Sequence, residues 1–314
     1  MSIPLLSSED ILKKLELYSY EQQKTYLAMY SSWYGGITTD PSLMMIPVDD
    51  HMVHRGDGVF EAMKYVNGKV YLLQEHLDRM ETSAKQIGME WPISRAQLTE
   101  ILFEVVRVAK ASAAILRLFM SRGPGGFTAN PYDSVGPQVY CIVTQFKPLS
   151  EAKYTEGAKI GRSAIGPKDP FFATIKSCNY LPNVLMKKEA VDRKLDFTVG
   201  FDPDGAVTEG STENIIVVNQ HNELVRPPLK QILRGTTMMR VLHLAKDLVA
   251  QKQLHGISEK LLTEKDILSA KEVMMVGTTL DVLPVTEFEG QKIGEGKAGF
   301  IAQTLRRYLV ADQA

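Results

Sequence analysis

Cysteine is scarce in this chain: two residues, Cys141 and Cys178, in neither a CxxC nor a metal-type spacing. That excludes a disulfide scaffold and fits a reducing compartment. An excess of charge of one sign is also missing. With 36 Lys and Arg against 37 Asp and Glu, and no concentrated basic stripe, there is no electrostatic case for nucleic acid or a membrane surface. No apolar run approaches the length of a membrane span, and the first ten residues lack the basic-then-apolar order of a secretory signal. Internal repeats and low-complexity tracts are absent too. The expectation is a cytoplasmic protein that acts on small molecules.

What is present is a globular composition, 44% hydrophobic and 23% charged over 314 residues, enough for one large domain or two moderate ones. Ser7-Ser8-Glu9-Asp10 leads into Ile11, Leu12, Leu15 and Leu17, a short amphipathic helix within an N-terminal extension, residues 1–41. A small α/β domain is expected over 42–146. It opens with a hairpin whose strands flank Asn67-Gly68, followed by a helix from about Gln74 and a second helix from Ser94, with Gln97 in the capping-box position. Strands at 114–120 and 138–145 bracket a Gly/Pro-rich loop. Polar residues 147–156 read as an interdomain linker, and 157–314 as a larger C-terminal domain. That domain carries strand signals at 197–201, 214–218, 223–225 and 272–276 and helices at 236–249 and 299–309. The fold class is α+β, a mixed α/β architecture in two domains with a cleft between them.

Several short segments carry chemistry. Lys176 ends an apolar approach, Phe171-Phe172-Ala173-Thr174-Ile175, just before a helix that starts near Tyr180; such surroundings favour a neutral, nucleophilic amine. Glu209 lies among small residues that would let a flat ring approach the backbone. Gly235-Thr236-Thr237 opens a helix, so its N–H groups point at whatever sits in front, and a phosphate suits that position. Gly277-Thr278-Thr279 offers a second hydroxyl-lined cup. Arg79 could fork a phosphate or pair with Asp78 or Glu81. Arg55, before a Gly-rich turn, could bind a substrate carboxylate or pair with Asp57. His51 and His54 superficially suggest a metal cluster, but their spacing supports none and no metal is expected. Taken together, an amine, a carboxylate, an arginine and a helix N-terminus match the chemical needs of pyridoxal 5'-phosphate one by one.

From about residue 45 onward, the chain resembles the class IV, fold-type IV pyridoxal-phosphate enzymes. This family includes D-amino acid transaminases, branched-chain aminotransferases and 4-amino-4-deoxychorismate lyases. The matching segments run in the family's order: Arg55-Gly56-Asp57-Gly58-Val59-Phe60-Glu61, His76-Leu77-Asp78-Arg79, Ser121-Arg122-Gly123, Ile175-Lys176-Ser177-Cys178-Asn179-Tyr180-Leu181, Thr208-Glu209-Gly210-Ser211-Thr212-Glu213-Asn214, Leu233-Arg234-Gly235-Thr236-Thr237 and Gly277-Thr278-Thr279. The resemblance implies that Lys176 is the Schiff-base lysine and proton shuttle, and that Glu209 partners the pyridine nitrogen. It implies that Arg79, Gly235, Thr236, Thr237 and Thr278 hold the phosphate, that Leu233 packs on the ring, and that Tyr180 supports the cofactor. It also implies a small N-terminal domain, a larger C-terminal one, an active site between them and a homodimer.

Within the family, Met29-Tyr30-Ser31-Ser32 and Asp50-His51-Met52-Val53-His54-Arg55-Gly56 look most like a D-amino acid transaminase branch. The chain departs from the bacterial D-alanine pattern at Phe60, where that pattern has Tyr, and at Phe127 and Ala129, where it has Arg and His. The usual carboxylate clamp is therefore missing, and Arg55, in place of a pocket aromatic, is expected to receive the carboxylate. Arg55, Phe60, Arg122, Phe127 and Thr279 are the expected substrate-pocket residues. The expected activity is transamination between an amino acid, D-amino acids favoured, and a 2-oxo acid. The alternatives are a branched-chain L-aminotransferase, which Glu213-Asn214 and the apolar Phe60 and Phe127 favour, and the lyase, whose loop resembles Ser121-Arg122-Gly123-Pro124-Gly125-Gly126.

Overall fold

Asn67 and Gly68 both adopt positive φ, 53° and 79°, the backbone handedness that lets a two-residue turn follow the twist of its flanking strands. The hairpin they close, Gly58–Val66 with Lys69–Val70, is the edge of a six-stranded antiparallel sheet. In a computed structural model describing Met1–Ala314, the chain divides into two units. One comprises Met1–Leu73 and Ala84–Phe146, the other Gln74–Ser83 and Lys147–Ala314.

In the first unit the strand order is Gly36–Thr38, Tyr26–Ser31, Gln138–Gln145, Ala114–Ser121, Gly58–Val66, Lys69–Val70. Helix Arg95–Ala109 packs on Tyr26–Ser31 and Gln138–Gln145. Ser94 and Gln97 cap it reciprocally, and Leu98, Leu102, Val105 and Val106 are buried, each such side chain contributing about 1.5–3 kcal/mol. The stretch expected to be an extension therefore supplies two strands. Ala28, Met29 and Ser31 are buried, and Ser32 Oγ accepts from Val139 N at 2.9 Å. Helix Ser8–Leu17 adds little to this packing: its capping box, Ser7 with Asp10, is formed, but it buries no residue.

The second unit holds a nine-stranded mixed sheet, its central hairpin formed by Glu272–Gly277 and Asp281–Phe288. Ala158–Arg162 runs parallel to both Asp281–Phe288 and Phe197–Phe201. Its core includes Val199, Ile215, Val217, Met275 and Phe288. Helices Thr236–Ala250 and Phe300–Asp312 pack on the hairpin strands. The second half of the expected linker is a helix, Glu151–Glu156, that packs on Asp281–Phe288. The reason is Tyr154: its ring is buried under the Arg306 guanidinium at 3.5 Å, and its hydroxyl donates to Leu280 O at 3.2 Å. No helix is long and apolar enough to cross a membrane.

Candidate active site

Lys176 is placed by two local stops. Asp169 caps the single turn Pro170–Ala173 by accepting from Phe171 N at 2.9 Å, and Pro182 lies in the first turn of helix Leu181–Asp192. Between them Ile175 is buried, and Lys176 is only 9% exposed, with its backbone N–H donating to Ser83 Oγ at 3.2 Å. Across the same cavity lies strand Val207–Gly210, which carries Glu209.

One carboxylate oxygen of Glu209 is tied down twice. Oε2 accepts from Leu233 N at 3.1 Å and from Asn214 Nδ2 at 3.2 Å, and the same Asn214 amide donates to Leu233 O at 3.0 Å. Burial pushes the Glu209 carboxyl up to about 7. The Leu233 N–H and the charges of Lys176, Lys168 and Arg79 act against that rise. The carboxyl thus takes or gives a proton near neutrality, and a cationic partner would hold it ionised.

Gly235 is the N-cap of helix Thr236–Ala250, and no side chain caps the first turn. A Cβ at Gly235 would collide with Asn214 Oδ1, so glycine is what allows the helix start and the Glu209 support to lie against each other. Thr236 Oγ1 meets His76 Nε2 at 3.2 Å, and Arg79 donates to Arg234 O at 3.2 Å, bringing a guanidinium to the same helix end. Uncapped N–H groups, a cation and hydroxyls together form an anion site.

The cavity holds about 560 Å³ of space between atoms, open solvent at its mouth included. Its lining brings together Lys176, Arg79, Tyr180, Glu209, Leu233, Gly235, Thr236, Thr237 and Thr278. Thr279 is exposed and is not part of that lining. Arg55, Phe60, Arg122 and Phe127 belong to the first unit. There Arg122 is spent on structure: it forks Asp57 with two bonds of 3.0 Å and donates to Ile87 O at 2.8 Å and Gly88 O at 2.9 Å. Asp57 therefore pairs with Arg122, not with Arg55. Arg55 is exposed and donates to Phe127 O at 2.7 Å and His54 O at 2.9 Å, while Phe60 stacks on Phe119 with centroids 5.8 Å apart.

Residues 58–288 match the family described as amino-transferase class IV. The chain belongs to the class IV aminotransferases. This class IV aminotransferase is 39% identical over 312 residues to the chloroplastic D-amino-acid transaminase of Arabidopsis thaliana, covering 99% of this chain and 82% of that one. It is 32% identical to the D-alanine aminotransferase of Bacillus licheniformis, covering 88% and 94%. Among solved structures, the T.th. branched-chain amino acid aminotransferase with pyridoxamine 5'-phosphate superposes with a TM-score of 0.84 at 27% identity, covering 92% and 94%. The aminotransferase is thus a pyridoxal-phosphate enzyme of the fold-type IV architecture, and its own residues fit that group. The uncapped helix start beside Arg79 suits the phosphate, the doubly anchored carboxylate suits a ring nitrogen, and the buried lysine suits an aldehyde.

Three residues of the aminotransferase site had no role assigned from sequence. Asn214 follows Glu209 across the Gly210 turn, and the five-residue spacing between two polar side chains was the available signal. His76 precedes Arg79 by three, one helical turn, which puts both on one face. Lys168 sits in Gly166-Pro167-Lys168-Asp169-Pro170, a stretch with no periodicity to mark it.

Proposed function

We propose that the enzyme moves amino groups between D-amino acids and 2-oxo acids. Similarity to a D-amino-acid transaminase across nearly the whole chain, together with a D-alanine aminotransferase at 32%, supports the D-series. A branched-chain L-aminotransferase is the second reading, favoured by the apolar Phe60 and Phe127 and by 32% identity to the putative branched-chain enzyme of Methanocaldococcus jannaschii.

When bound, pyridoxal phosphate supplies an aldehyde that takes up the amino group and a ring that draws electrons from the substrate's Cα. Lys176 is the residue that would hold the cofactor at its aldehyde, and its Nζ takes and returns the substrate's α-proton. Glu209, whose carboxylate Leu233 N and Asn214 keep in place, would hold a proton on the ring nitrogen. Arg79, the N–H groups opening at Gly235, and the hydroxyls of Thr236, Thr237 and Thr278 would anchor the phosphate, and Leu233 and Tyr180, which line the same cavity, would border the ring. The observation that carries this reading is a buried lysine sharing one cavity with a carboxylate and an arginine-flanked helix start.

Arg55 would receive the substrate carboxylate: two of its N–H donors are engaged, against four of Arg122's, so it retains donors for a ligand. We further propose a homodimer, which light scattering would test. The unlinked thiols Cys141 and Cys178 fit the cytoplasm. The deciding experiment is a set of single-turnover reactions of the loaded enzyme with paired D- and L-amino acids, read from the cofactor's absorption. Conversion of L-leucine or L-valine alone would favour the branched-chain reading, and pyruvate release from aminodeoxychorismate without an acceptor would point to the lyase. Loss of Arg55 should raise the donor KM, and an unchanged KM in Arg55→Ala would remove its assignment.

A further inference from the structure

Lys168 has no part in the roles above, yet it lines the same cavity as Lys176 and Glu209. A smaller recess adjoins that cavity, and the two share Lys168, Ala173, Asn183, Glu209 and Gly210, which puts Lys168 at the carboxylate's end of the site. Gln231 lines the recess as well. Its Nε2 donates to Asp202 Oδ2 at 3.0 Å, and Asn183 Nδ2 donates to Ser211 O, so both amides are oriented. Their oxygens, Asn183 Oδ1 and Gln231 Oε1, are buried and accept no hydrogen bond from the protein. A recess whose lining residues include two with unmatched acceptors and one carboxylate favours a cation. The Tyr180 ring, with the Lys168 amine 4.8 Å from its centre, adds a third attraction.

The charged groups of the two linings are Lys168, Lys176, Arg79, Glu209 and Glu213. Burial draws the Lys168 amine below the usual lysine value and the Glu209 carboxyl above the usual carboxylate value, and each one's charge opposes the other's shift. Of the three cations that act on Glu209, Lys176 would be committed to the cofactor's aldehyde and Arg79 to its phosphate. Lys168 would be left for the carboxylate.

We infer that Lys168 is a positioning residue for Glu209, an ammonium in the recess beside the carboxylate that keeps Glu209 ionised and so keeps the ring nitrogen of the bound cofactor protonated. This rests on the proposed role of Glu209. The test compares the loaded enzyme with Lys168→Met and Lys168→Arg, following the cofactor's absorption without substrate, and kcat and KM, across neutral pH. In Lys168→Met the acid limb of kcat and the accompanying absorption change should move to higher pH by roughly one unit, the low end of what a neighbouring opposite charge produces. On that limb kcat falls about 10-fold with KM nearly unchanged, and Lys168→Arg restores the parent profile. Superimposable absorption and rate profiles for Lys168→Met and the parent would overturn the inference. Should the Met variant not fold, Lys168→Gln answers the same titration. Lys176→Ala separates the two levels: if it keeps the parent's visible band, the proposed function itself fails. If it loses that band while Lys168→Met titrates as the parent does, only the role of Lys168 is lost.

Discussion

Replacing Glu209 by Gln should make the cofactor-free protein more stable at neutral pH while crippling the loaded enzyme. The Glu209 carboxyl lies at about 7 against an ordinary 4.5 because burial outweighs the Leu233 N–H and the nearby cations. A group whose value rises on folding holds its proton more tightly in the folded chain, so between those two values the folded state binds more protons than the unfolded one. Its contribution is therefore complete below the unfolded value and is lost as the pH climbs through the folded value. The gap, 7 − 4.5 = 2.5, corresponds to about 3 kcal/mol at roughly 1.4 kcal/mol per pH unit. Most of that disappears between roughly pH 5 and pH 8. Gln cannot ionise, so Glu209→Gln should lack this slope. Urea unfolding of the two cofactor-free proteins, followed by circular dichroism over that range, gives the comparison. Hydrogen exchange of the Asn214–Val218 amides tracks the unit that carries the residue. The parent should lose about 3 kcal/mol more than the variant as pH rises. Parallel pH dependences would refute the reasoning, because they would mean that burial does not load this carboxyl with a proton. Adding pyridoxal phosphate should reverse the order of stability and expose a loss of at least about 10²-fold in the variant's kcat, the scale of one preorganised electrostatic partner.

Arg79→Ala should weaken retention of pyridoxal phosphate by about 1.5–3 kcal/mol, the worth of charge-assisted hydrogen bonds, while pyridoxal without its phosphate binds parent and variant alike in equilibrium dialysis. Gly235→Ala drives a Cβ against Asn214 Oδ1, so cofactor affinity should fall by about 1–3 kcal/mol and the bound cofactor's absorption should change, because Glu209 loses a support at the same time. Arg122→Ala should lower the melting temperature of the protein through a loss of about 2–4 kcal/mol and leave the donor KM almost unchanged, since the side chain ties Asp57 to the Ile87 and Gly88 carbonyls.

Features governed by near neighbours in the chain were legible in the sequence. The Asn67-Gly68 hairpin and the Ser94 to Gln97 cap depend on residues within a few positions, and both form as expected. So do the strand over 214–218 and the helix starting at Thr236. Strand Tyr26–Ser31 was not legible, because what makes it a strand is Gln138–Gln145, more than a hundred residues away. The same holds for Arg122. Its segment reads as a binding loop, but the fold delivers a carboxylate and two carbonyls that consume most of its donors. At the site, the motifs named the residues that would touch a cofactor, and nine of them do line one cavity. Asn214 and His76 reach partners on other segments, so their spacing to Glu209 and Arg79 hints at them without giving a role, and Lys168 leaves no periodic trace in the chain.

The single Asn214 amide that braces both Glu209 and Leu233 also fills the space a Cβ on Gly235 would need, which would tie two properties of the enzyme together. With the roles proposed for Glu209 and the helix start, grip on the cofactor's tail and electronic activation of its ring would share one brace, so neither would drift far without the other. A laboratory seeking tighter cofactor retention or altered reactivity would gain little from changing positions 209, 214, 233 and 235 one after another. Libraries that randomise all four at once would have access to the compensated combinations that stepwise substitution passes over.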